Sequence, residues 1–137
     1  MIEPIVIDGV QVALIVRANF QPEKTQFLTT DQDALQLGYI VYGAGKSITP
    51  HIHKPAERHI HGTPEVLYVR KGRMRTIFYS NEKVRKGDVI LDQGDVILLL
   101  EGGHGFDMLE DTVLMEIKQG PYLGELDKER FFDDSSK

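Results

Sequence analysis

The chain has 137 residues, no cysteine and a formal net charge of −5, with 16 Lys and Arg against 21 Asp and Glu. That is long enough for one domain with a real core and too acidic for a broad nucleic-acid surface, while any metal must sit on imidazole and carboxylate because thiolates are absent. A composition of 41% hydrophobic and 27% charged residues, without an apolar run near the roughly 20 residues that span a bilayer, predicts one soluble domain over residues 1–137 with no membrane partner. The opening MIEPIVIDGV lacks a basic n-region and an unbroken apolar h-region, so the expected address is the cytoplasm.

Short apolar or alternating runs follow one another from the start: PIVI, VQVALIV, TQFLTT, LGYIVYG, SITPHIH, EVLYVRKG, MRTIFYS, VILLL and TVLMEIK. Strand patterning repeated at such intervals predicts an all-β sandwich or barrel. Turns are expected at Asp8-Gly9, Gly43-Ala44-Gly45, Lys71-Gly72, Lys86-Gly87-Asp88, Gln93-Gly94-Asp95 and Glu101-Gly102-Gly103. Val96 to Leu100 is continuously apolar and so predicts a strand covered on both faces. The basic stretch from Arg70 to Arg75 reads as a hairpin turn with solvated charges. One short helix is expected over residues 124–132, with Leu126, Arg130 and Phe131 along one side.

Four of the five histidines fall within PHIHKPAERHIH, residues 50–61, as the pairs His51/His53 and His59/His61, and Glu65 follows. On a strand, residues i and i+2 share a face, so His-x-His sets two imidazoles side by side as candidate metal ligands. A site needs convergence with a second segment, and GDVILLLEGGHGF, residues 94–106, offers His104. Spacing alone does not choose between the pairs. Five residues separate Gly45 from His51, whereas three separate His61 from Glu65 and six separate Glu65 from Gly72.

These residues resemble the two motifs of the cupins over roughly residues 36–119. The first motif spans about 45–72: Gly, five residues, His-x-His, a few residues, Glu, six residues, Gly. The second spans about 94–108. The second motif departs from the family pattern: Leu100 takes the proline position, one residue rather than two separates Gly102 from His104, and Asp107 or Met108 stands at the asparagine. The resemblance implies a double-stranded β-helix, or jelly-roll, barrel with the short helix at its C-terminal end. It also implies one divalent transition metal (Zn, Fe, Ni or Mn) on His51, His53, Glu65 and His104, with His59/His61 as the alternative pair.

A metal inside such a barrel implies a small-molecule pocket lined by inward side chains, for which Arg58, Leu67, Phe106 and Met108 are the candidates. Glu116 and Lys118 share one face of their strand and Met115 and Ile117 the other, and the alternation does not say which set points in. The expected activity is that of a metal-dependent enzyme of isomerase, epimerase or dioxygenase type acting on a sugar derivative or keto acid. The alternative is a non-catalytic module that binds a carbohydrate-like ligand. The expected assembly is a homodimer.

Overall fold

In the computed structural model, which describes residues 1–133, the chain forms two compact units, one from residues 1–20 with the chain after residue 62, the other from residues 21–62. The described chain is all-β apart from one 3-10 turn, and its strand pairings are antiparallel. None of its helices is long and apolar enough to cross a membrane.

The first unit holds eight strands: β1 (Ile2–Ile7), β2 (Val10–Val16), β5 (Glu65–Lys71), β6 (Arg73–Tyr79), β7 (Arg85–Asp92), β8 (Val96–Leu99), β9 (Gly103–Met108) and β10 (Val113–Lys118). They form a five-stranded sheet in the order β1-β2-β8-β5-β10 and a three-stranded sheet in the order β7-β6-β9, each with open edges. The core lies between these sheets. Val12, Ala13, Ile15, Leu67, Val69, Ile97 and Leu99 meet Met74, Phe78 and Leu91, and Phe106 and Leu114 pack against them. The apolar run of β8 is central, paired with β2 and β5, and both of its faces are covered: Ile97 and Leu98 have no exposure at all.

Turn chemistry sets the hairpins. Asp8 and Gly9, at φ 50° and 80°, connect β1 to β2 as the positive dihedrals of a tight hairpin require. Gly72 alone joins β5 to β6, and a Cβ on it would lie 2.3 Å from the Asp111 carbonyl oxygen. Ahead of β8, Asp95 is 4% exposed and works as a knot: its carboxylate accepts from Ala18 N (2.8 Å), Asp92 N (2.9 Å) and Arg17 Nη1 (2.9 Å). Arg17 in turn donates to Glu3 and to the Ile90 carbonyl, so one ion cluster pins β2, β7 and the turn before β8.

Three expected elements differ. Lys86-Gly87-Asp88 is not a turn but part of β7, where the register steps from Phe78 opposite Gly87 to Tyr79 opposite Arg85. Lys86 is therefore the extra residue of a bulge, the other common use of glycine within a strand. The C-terminal helix is only a 3-10 turn, Gly124–Asp127. It lacks a side-chain cap, buries no residue and leaves Leu126 92% exposed, so no apolar stripe extends it. SITPHIH is not a strand: residues 42–62 are all exposed and unpaired in any ladder, and Pro50 has no N–H to give one.

The second unit contains β3 (Gln26–Phe27) and β4 (Gly38–Tyr39), a two-stranded ladder closed by side chains. Thr25 Oγ1 accepts from Val41 N, Asp33 accepts from Thr30 N, and Gln36 Nε2 donates to the carbonyls of Thr30 and Asp33. Gly38 is needed because a Cβ there would come within 2.6 Å of the Phe27 ring.

Candidate functional site

Directly opposed residues of an antiparallel ladder place their side chains on one face. Glu65, Leu67 and Val69 of β5 lie opposite Lys118, Glu116 and Leu114 of β10; Leu67 and Val69 belong to the core and Leu114 packs against it. Glu65, Glu116 and Lys118 are thus on the inward face. Met115 and Ile117, 50% and 55% exposed, are on the outward one. On the other sheet, His104, Phe106 and Met108 lie opposite Phe78, Thr76 and Met74 of β6, of which Met74 and Phe78 are core residues.

β5 begins, β8 and β10 end, and β9 begins at one end of the first unit, and this arrangement gathers the polar groups there. Glu65 Oε2 lies 3.5 Å from His104 Nε2, with the two side chains 14% and 27% exposed. Ligand atoms bonded to one transition ion at about 2.0–2.2 Å lie about 3–3.5 Å apart for right-angle to tetrahedral geometry. Glu65 and His104 are therefore placed as two ligands of a single ion would be. The Phe106 ring stands 5.3 Å from the imidazole, and Leu67 is buried behind it in the core. Met108, at the far end of β9, is 51% exposed and lies away from this cluster.

A second set of polar side chains adjoins Glu65, and the sequence did not single out all of it. Lys118 is its cross-strand partner. The 3-10 turn carries Asp127 back to this end, where its carboxylate accepts from Thr63 Oγ1 (2.9 Å) and lies 3.9 Å from Lys118 Nζ with only 8% exposure. The Tyr122 ring lies under the same ammonium, 5.8 Å from it. The signal that could have found Asp127 is its charge within a segment of otherwise weak helical character, which needs a tertiary partner to hold it.

His51 and His53 belong to the second unit, as do Arg58, His59 and His61, and all five are exposed. The first pair is held edge to face, ring centroids 5.3 Å apart. The Nδ1–H of His51 donates to the Thr49 carbonyl at 2.9 Å, which leaves Nε2 as the nitrogen with a free lone pair. This is the tautomer a metal-ligating histidine adopts, although the pair is not on a strand. Among the described residues no group of three or more His, Asp or Glu side chains is gathered as a metal shell. The chain matches no protein-family model, no curated protein and no solved structure.

Proposed function

We propose that the protein is a cupin-like, metal-dependent enzyme acting on a small polar molecule, with Glu65 and His104 among the ligands of one divalent transition ion. The observation that carries this reading is the 3.5 Å approach of a carboxylate and an imidazole on facing sheets, both inward and largely shielded from water. A carboxylate beside an imidazole is a mixed N/O donor set of the kind zinc, iron, nickel and manganese accept. The ion, when bound, supplies a Lewis acid or a place for dioxygen. Leu67 and Phe106 supply an apolar wall that excludes water, which strengthens every polar interaction inside.

The test is elemental analysis of the purified, untagged protein beside four variants: Glu65→Gln, His104→Ala, His51→Ala/His53→Ala and His59→Ala/His61→Ala. The expected result is one equivalent of a transition metal in the wild type, lost in Glu65→Gln and His104→Ala, while the two double variants report whether either His-x-His pair supplies further ligands. A wild type that holds no metal, purified as such or after incubation with each candidate ion, sinks the proposal. Loss in the last variant alone moves the ligand role to His59 and His61.

A further inference from the structure

β10 inverts the usual order of an edge strand. It turns Met115 and Ile117 outward at 50% and 55% exposure, while in register Glu116, itself exposed, and the half-buried Lys118 fall on the inner face. An ammonium on an inner face next to a shielded carboxylate calls for a partner there, since burying a cation without one is costly. Asp127 satisfies this only in part. At 3.9 Å its Oδ2 lies beyond hydrogen-bonding distance of Lys118 Nζ, while its Oδ1 is held by the Thr63 hydroxyl. Among the described residues the ammonium makes no hydrogen bond, and its other neighbour is the face of Tyr122.

Resting on the metal reading above, we infer that Lys118 is the recognition group for the substrate, and that the substrate is a small carboxylate anion of the 2-oxo or 2-hydroxy acid class. Cross-strand partners have Cβ atoms about 4.5–5.5 Å apart, so Lys118 stands one short molecule away from the Glu65–His104 pair. A compound with a carboxylate at one end and an oxygen donor next to it meets the ammonium with the first and the ligand pair with the second. Asp127 is the place-holder: its carboxylate occupies the position that the anion takes. The turn that carries it is suited to release, because it is uncapped and buries no apolar residue.

The experiment is calorimetric titration of the metal-loaded protein with pyruvate, with its uncharged counterpart hydroxyacetone, and with inorganic phosphate, each on wild type, Lys118→Met, Lys118→Arg and Asp127→Asn. Pyruvate is expected to bind the wild type in preference to both other compounds. Its affinity should fall at least tenfold in Lys118→Met, recover in Lys118→Arg and rise severalfold in Asp127→Asn, with metal stoichiometry unchanged throughout. A structural role for Lys118 does not predict the tightening in Asp127→Asn. Absence of pyruvate binding, equal binding of hydroxyacetone, tighter binding of phosphate, or indifference to Lys118→Met each overturns the inference. Metal content measured on the same samples reports separately on the metal reading.

Discussion

The Tyr79 hydroxyl donates a 2.6 Å hydrogen bond to Asp133, while the Phe131 ring stands edge-on to the Tyr79 ring at a centroid distance of 5.0 Å. The C-terminal segment is thereby fastened to the end of β6, with Arg85 3.6 Å from the same Asp133 carboxylate and Lys83 paired to Glu129. Burial, followed by the hydrogen bond to Asp133, pushes the Tyr79 phenol up to about 12. A group whose acidity is weakened by folding stabilises the fold in its protonated form. That contribution is complete below the ordinary tyrosine value of about 10 and is lost as pH rises through about 12. Urea midpoints measured across this window should fall more steeply for wild type than for Tyr79→Phe. Parallel curves for the two proteins refute the assignment.

Asp95→Ala should be among the most damaging single changes. It leaves the N–H groups of Ala18 and Asp92 without their acceptor and strips Arg17 of its shielded counter-ion. Removing one member of a buried pair costs about 3–5 kcal/mol, and because Arg17 is 24% exposed and keeps Glu3, the lower end applies. Denaturant unfolding gives the figure directly. A loss below about 1 kcal/mol would show that the cluster does not hold β2 to the turn before β8.

How far the sequence could be read follows from which interactions are local. β8 was legible because a run apolar on both faces has one solution, a central strand, and Leu98, flanked in the sheet by Leu14 and Val66, indeed has no exposure. The hairpin glycines were legible because positive φ is a local demand. Lys86-Gly87-Asp88 was not, since a bulge and a turn use the same residues and only the pairing with β6 distinguishes them. Nor was the direction of Glu116 and Lys118, where alternation gives two faces but the packing of Leu114 against the core decides which is inside. Of the site, Glu65 and His104 were read from motif spacing, whereas Asp127 and Thr63 join it only through the return of the chain after β10, which no periodicity announces.

Thr76 is fully buried on β6, between Val89 and Phe106, and its hydroxyl oxygen has no hydrogen-bond partner. Replacing the hydroxyl by a methyl removes an uncompensated polar group at nearly constant volume. Thr76→Val should therefore stabilise the protein by about 1–2 kcal/mol, a rise in melting temperature of several degrees. A drop in stability would mean that the hydroxyl is satisfied in solution.

Two glycines with similar dihedrals should respond differently to alanine. Gly9 (φ +80°) has open space around the missing Cβ, whereas at Gly72 (φ +91°) that atom would press on the Asp111 carbonyl oxygen at 2.3 Å and on Thr112 Oγ1 at 2.6 Å. Gly9→Ala bears the left-handed penalty alone, about 1–2 kcal/mol. Gly72→Ala adds displacement of the β9–β10 connection, so its loss should exceed that of Gly9→Ala by at least about 1 kcal/mol in the same unfolding assay. Equal losses would contradict the close packing of that turn.

Metal and fold should also be thermodynamically linked. Glu65 opens β5 and His104 stands near the start of β9, so an ion held by both adds a tie between the two sheets beyond their apolar core and the Arg17–Asp95 cluster. A ligand that binds only the folded state at 100 times its dissociation constant adds about 2.7 kcal/mol. Zinc or manganese should therefore raise the melting temperature of chelator-treated wild type by several degrees and leave that of Glu65→Gln nearly unchanged, because the amide cannot provide the negative oxygen a divalent ion prefers. The two proteins should melt alike without metal if the carboxylate has no other task. Equal metal-induced shifts in wild type and Glu65→Gln would place the ion elsewhere in the chain.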